Sequence, residues 1–283
     1  QDLWSMFVPK WYWFAISLFI TLTIAVLYLL STPPIYTRTA AILVKDNSKS
    51  SSSTSAMNDF SDLGIFKSNT NINNELLTLK SPTLMTEVVN RLGLNETFTI
   101  RKGLKNVDLY KVSPVTITFC DKIEVPLSFT IKFSSKEAFA ISELEISGED
   151  IGETLSAQMG DSIQTSAGIM IVSPTQEFTD AFIGTSIRYV RGSVRAAVDT
   201  YSNALVAELG NEDATIINLS INDTSIRKAE DILNTLIEVY NENWIRDKNQ
   251  IAVSTSQFIS DRLGVIESEL GHVDENISSY KSE

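Results

Sequence analysis

The stretch WYWFAISLFITLTIAVLYLL, residues 11–30, carries no charged side chain over twenty positions, and it decides how the rest of the chain is read. An α-helix rises 1.5 Å per residue, so a helix of that length is about 30 Å long, the hydrocarbon thickness of a bilayer. A cleaved secretory signal would have a shorter apolar core, a basic flank and a small-residue cleavage site. Here only Lys10 immediately precedes the run, and Thr32-Pro33-Pro34 follows it. Trp4, Trp11 and Trp13 before the apolar centre, and Tyr28 and Tyr36 after it, suit the headgroup layers. The run is therefore expected to span a membrane.

Charge does not orient the span, because Asp2 and Lys10 flank one end and Arg38 and Lys45 the other. The chain opens on Gln1 and stops at Glu283 inside a helical pattern with no cap or Gly stop, so a piece of a longer protein is expected. The remainder has the composition of a folded acidic body, with 43% apolar residues overall and a net charge of −12. That balance argues against nucleic acid as a partner and against docking on anionic lipid. Cys120 is the single cysteine, which excludes an internal disulfide and reads as a buried thiol.

Outward from the span, residues 36–45 read as a strand, and the Ser/Thr/Lys tract 48–55 reads as a mobile loop. Asn73 or Asn74 is expected to cap a helix through Lys80. Ser81 at N-cap and Pro82 at N1 start another, with Met85, Val88, Val89 and Leu92 on one face and Gly93 at its end. From Leu94 to about Val190 the apolar period becomes two, as in Phe98-Thr99-Ile100, Val115-Thr116-Ile117 and Phe129-Thr130-Ile131. A helix is expected over 193–209, a strand over 213–221, and a helix capped by Asn222 or Asp223. Its stripe is Ile226, Ala229, Leu233, Leu236, Tyr240 and Trp244.

The last segment carries Ile259, Leu263, Ile266, Leu270, Val273, Ile277 and Tyr280 at alternating spacings of four and three. Two readings fit such a seam. It packs a long helix onto its own domain, or it supercoils against helices of other subunits, for which a narrow stripe is the better match.

Chemistry is sparse. His272 is the only histidine, no Gly-rich loop runs into Lys-Ser/Thr, and HExxH, GxSxG and CxxC are absent. Carboxylates at 143–150 and 267–275 read as solvated faces. No catalytic residue, cofactor or metal ligand is nominated. Arg188, Arg191 and Arg195 form a weak candidate for contact with an acidic glycan, against the plainer reading of surface ion pairs.

Pro33-Pro34-Ile35-Tyr36 leading into Thr39-Ala40-Ala41-Ile42-Leu43-Val44 resembles the start of the Wzz chain-length-determinant domain. Ala229-Glu230-Asp231-Ile232-Leu233-Asn234-Thr235-Leu236 with Tyr240, then Phe258-Ile259, Arg262-Leu263, Glu269-Leu270 and Tyr280-Lys281, resembles the family's descending helix. One departure is Thr224 after Asp223, where the family usually has Pro. Asn203-Ala204-Leu205 before Ala214-Thr215-Ile216-Ile217-Asn218-Leu219 is most similar to the larger members that continue into a cytoplasmic tyrosine kinase. No kinase lies in this segment.

The resemblance implies a polysaccharide co-polymerase of a bacterial inner membrane, with a cytoplasmic N-terminus and residues from about 31 onward periplasmic. Implied partners are further copies of itself in a ring, membrane lipid, a polymerase or outer-membrane exporter, and the growing capsular, exopolysaccharide or O-antigen chain. The expected class is α+β, with flank 1–10, transmembrane helix 11–30, a membrane-proximal α/β base from 31–93 and 191–249, an inserted β-rich domain 94–190, and a long coiled-coil-like helix 250–283. A membrane-anchored sensor kinase ectodomain, or an export adaptor, is the alternative.

Overall fold

A computed structural model describes the backbone of residues 11–44, 72–120, 125–210 and 216–281. The Ser/Thr/Lys tract expected as a loop lies outside the described residues. The chain divides into two units, Gln1–Asn234 and Thr235–Glu283.

In the first unit, helix α1 (Trp11–Ser31) is long and apolar enough to cross a membrane, with a mean hydropathy of 2.3 and no buried residue. Two of its hydroxyls are satisfied within the helix: Thr21 and Thr23 donate to the Ser17 and Phe19 carbonyls at 2.8 Å. In hydrocarbon that matters, because an unpaired polar group finds no water there.

Strand β1 (Tyr36–Leu43) follows the Pro33-Pro34 break. Helix α2 (Ile72–Leu79) places Asn73 and Asn74 inside its first turn, so neither is the cap. Helix α3 (Pro82–Leu92) keeps the expected ends. Ser81 Oγ accepts from the Thr83 N–H, and Gly93 closes the helix at φ 63°, a left-handed position that glycine takes without penalty. Leu84, Met85, Val88 and Val89 form its buried face.

The expected helix over 193–209 is shorter. Helix α4 covers Val194–Ala204, and strand β12 takes Leu205–Leu209. Leu205 and Ala207 are buried while Val206 and Glu208 are exposed, so the period there is two. Strand β13 (Ile216–Asp223) decides the matter by pairing antiparallel with β12 (Leu205↔Ile221) and with β1 (Tyr36↔Asp223) in a three-stranded sheet ordered β1-β13-β12. Ile217, Leu219 and Ile221 supply the buried face of its central strand. Residues 213–215 of the expected strand lie outside the described residues.

The β-rich middle begins at β2 (Glu96–Lys102) and β3 (Lys105–Asp108), and ends at β11 (Ser186–Arg191). Between them run β4 (Val115–Phe119), β5 (Leu127–Phe133), β6 (Ala138–Ile146), β7 (Glu149–Asp150), β8 (Leu155–Gln158), β9 (Ser162–Thr165) and β10 (Gly168–Pro174). One sheet is ordered β3-β2-β11-β5-β6-β7, with β8 also on β6, and a second is ordered β4-β10-β9. The sheets share one core, in which the Tyr189 ring lies 5.0 Å from both Phe98 and Phe129. Period-two alternation builds that core and also exposes Cys120. Val115 and Ile117 point inward, so residue 120 points out, and the expected burial of its thiol is corrected.

Helix α5 runs unbroken over Ile226–Lys281, 56 residues. Its cap is Ser225, whose Oγ accepts from the Lys228 N–H at 3.4 Å. Asp223, two residues before that cap, instead accepts from the Ser225 N–H at 2.8 Å. Of the expected stripe, Ala229, Leu233, Leu236 and Tyr240 are buried, as are Ile232 and Val239, whereas Ile226 and Trp244 are exposed.

Candidate functional site

The β-rich middle is entered and left at one point. Glu96 opens β2 opposite Arg191 at the end of β11, and the two side chains form an ion pair at 3.6 Å. The Gly192 N–H donates to the Asn95 carbonyl at 2.8 Å, and the Glu96 N–H donates to the Gly93 carbonyl at 3.1 Å. The Arg191 guanidinium also sits 4.9 Å from the centre of the Phe119 ring, so its charge is held from two sides. Burial pushes the Glu96 carboxyl above its ordinary range, and Arg191 and the Tyr189 hydroxyl pull it back only in part.

A second tie joins the β-rich middle to the start of α5. Lys228 is 8% exposed, and its ammonium lies 2.5 Å from Asp108 at the end of β3 and 3.4 Å from Asp223 at the end of β13. Burial alone would lower a lysine, but the Tyr201 hydroxyl and then the two carboxylates outweigh it, and the net push is upward. Lys228 therefore stays charged at any physiological pH. Asp223 uses both oxygens, one on Lys228 and one on the Ser225 N–H. One turn along α5, Asp231 receives the Lys111 ammonium at 2.6 Å. Burial and then Asp231 push the Tyr110 hydroxyl well above its ordinary range, which keeps it a neutral phenol.

Beside these ties opens a cleft of about 520 Å³. Lys228 and Tyr201 lie on its α5 and α4 side, Phe98 and Thr116 on its strands, and Arg227 and Glu177 are exposed members of its lining. Among the described residues no group of three or more His, Cys, Asp or Glu side chains is placed to hold a metal ion.

The arginine trio does not converge. On β11 the odd positions Ile187 and Tyr189 face the core, so Arg188 and Arg191 leave the strand on opposite faces, and Arg195 belongs to α4. Arg188 is taken up by Glu145 at 3.1 Å and by the Ser128 hydroxyl at 3.2 Å. Arg188 and Arg191 thus follow the plainer reading of surface ion pairs. In the seam, Ile259, Leu263, Ile266 and Leu270 are between 42 and 62% exposed, and Val273, Ile277 and Tyr280 also lie on α5.

Sequence reasoning passed over Lys228. One signal was present: a lysine four residues before the buried Ile232 sits on a helix face that is otherwise apolar. Its partner Asp108 lies 120 residues away and announces nothing locally.

A family model described as Wzz, chain length determinant protein, matches residues 1–92, from the anchor through α3. The match connects the chain to chain-length determination in polysaccharide polymerisation and to the biosynthetic machinery that carries it out. The apolar helix α1 fits the inner-membrane placement of that family. No curated protein matches the chain.

Proposed function

Starting from the chain-length-determinant match, we propose that this chain is the extracytoplasmic part of a polysaccharide co-polymerase, anchored in a bacterial inner membrane by α1. Its N-terminus is cytoplasmic, residues from about 31 onward are periplasmic, and copies assemble into a ring through α5. The observation that carries the reading is the seam. Four large apolar side chains at heptad spacing stand in solvent on a single chain, where a helix of a finished soluble protein would show charge instead. Partner helices would cover them and release the water they order, at roughly 25 cal/mol for each Å² removed from solvent.

In this mechanism no residue of the segment reacts and no cofactor is needed. The ring presents a fixed geometry to the polymerase and to the growing capsular, exopolysaccharide or O-antigen chain, and the packing of α5 sets how many subunits close it. A tyrosine kinase on the parent protein would act from the cytoplasmic side.

The test is deletion of the gene in its host, followed by electrophoresis of the surface polysaccharide at chain-length resolution. Complementation uses the full-length protein and the Leu263→Asp, Leu270→Asp double variant. Lost or length-shifted polymer, restored by the intact protein and not by the variant, is expected. An unchanged length distribution on deletion overturns the reading. A full restoration by the double variant overturns the role of the seam.

A further inference from the structure

The cleft beside Lys228 has the chemistry of a binding site, and its lining says what it would bind. Its volume of about 520 Å³ lies in the range of small-molecule pockets, roughly 300–1,000 Å³. The charges around it balance, Glu96, Asp108 and Glu177 against Lys111, Arg227 and Lys228. A free phosphate or sulfate would need a surplus of cations, which the lining does not offer. An apolar ligand would strip water from six charged groups without returning a hydrogen bond.

Most of those charges are already spoken for. Lys228 is matched by Asp108 and Asp223, Lys111 by Asp231, and Glu96 by Arg191. Arg227 and Glu177 are exposed and enter no ion pair among the described residues. They offer one multidentate donor and one double acceptor to whatever enters. The rings of Tyr110, Tyr201 and Phe98 add aromatic surface, and Thr116 adds an exposed hydroxyl. A ligand that needs both donors and acceptors, carries no net charge, and has C–H faces to lay on an aromatic ring is a saccharide.

We propose that this cleft binds a short segment of uncharged polysaccharide, with Arg227 and Glu177 gripping ring hydroxyls. The proposal rests on the co-polymerase reading for the origin of the ligand, but it can fail independently of it. The full chain in detergent micelles is titrated with a fluorescently end-labelled oligosaccharide, released by mild acid from the host's own surface polysaccharide, and anisotropy is followed. Saturable binding is expected, weakened at least tenfold by Arg227→Ala and by Thr116→Trp, which fills the cleft from an exposed strand position. Glu149→Ala, on the short edge strand β7, binds like the unaltered chain.

Absence of saturable binding overturns the proposal. So does binding that both cleft variants retain, or binding that millimolar inorganic phosphate displaces. Circular dichroism of the two variants must match the unaltered chain, and a Glu177→Gln variant, which keeps the shape and loses the charge, supplies the same reading if either misfolds. Binding that persists while gene deletion leaves polymer length unchanged would sink the co-polymerase role and keep the cleft. The reverse pair of results would do the opposite.

Discussion

Replacing Lys228 by Met removes one ammonium and leaves Asp108 and Asp223, each about one-tenth exposed, with no counter-charge. Methionine matches the stem of lysine in length and packs without a cavity, so the loss is electrostatic rather than steric. Removing one partner of a buried ion pair costs about 3–5 kcal/mol, because the remaining charge keeps its desolvation penalty and loses its compensation. Asp108 belongs to β3 and Lys228 to α5, so the damage falls on the hold between the β-rich middle and the helix. At 1.4 kcal/mol per decade, the opening equilibrium of residues 108–111 rises by about two to four orders of magnitude. Hydrogen exchange of the detergent-solubilised chain, read by mass spectrometry on peptides covering β3 and the first turns of α5, measures this directly, with urea unfolding alongside. Adding Asp108→Asn and Asp223→Asn to Lys228→Met removes the uncompensated charges, while the amide oxygen introduced at position 223 still accepts from the Ser225 N–H, and most of the loss should return. A loss below about 1 kcal/mol in the single variant, or no recovery in the triple, would refute the assignment of Lys228 as a buried clamp. Its pH behaviour has a definite sign. The folded state raises Lys228 above its ordinary 10.5, so its contribution is complete below that pH and is lost only as pH climbs through the raised value.

Phe129→Ala empties the centre of the core shared by the two sheets of the β-rich middle, where the ring is 1% exposed and 5.0 Å from Tyr189. It should cost about 3–5 kcal/mol in urea unfolding. Gly93→Ala meets nothing within 4 Å, so its cost of about 1 kcal/mol is purely that of a left-handed backbone, and Gly93→Asn should lose less in the same unfolding assay. Glu96 has a folded pKa raised above its ordinary 4.5, so the folded state holds the proton longer and stability falls as pH rises from 4.5 through the raised value. Glu96→Gln should flatten that part of a plot of Tm against pH.

The parts of this fold that could be read in advance are those whose cause is local. Residues 11–30 announce a long apolar helix by composition, Ser81, Pro82 and Gly93 bound a helix by their own conformational preferences, and period two marks the β-rich middle. Leu205 misled because it continues the helical spacing of Val194, Ala197 and Tyr201. Only pairing with β13 turns it into a strand residue, and that contact is not local. Arg188 and Arg191 are neighbours in sequence and not in space for a related reason, since three residues along a strand carry a side chain to the opposite face. The clamp is further out of reach. Asp108, Tyr201, Asp223 and Lys228 come from β3, α4, β13 and α5, and no window of sequence contains the first and last together.

The neck at Asn95 and Gly192 has a bearing on how such a chain can change over generations. A segment whose two ends meet, through a hydrogen bond of 2.8 Å and the Glu96–Arg191 ion pair, imposes no span on whatever precedes and follows it. The three-stranded sheet and its helices close on themselves through β1, β12 and β13 without borrowing a strand from residues 96–191. Lengthening, shrinking or exchanging that segment is thus a local event, answerable mainly to Lys228 and Asp231 on α5. The chain holds a socket in which the β-rich module can be exchanged while the three-stranded sheet and its helices stay as they are.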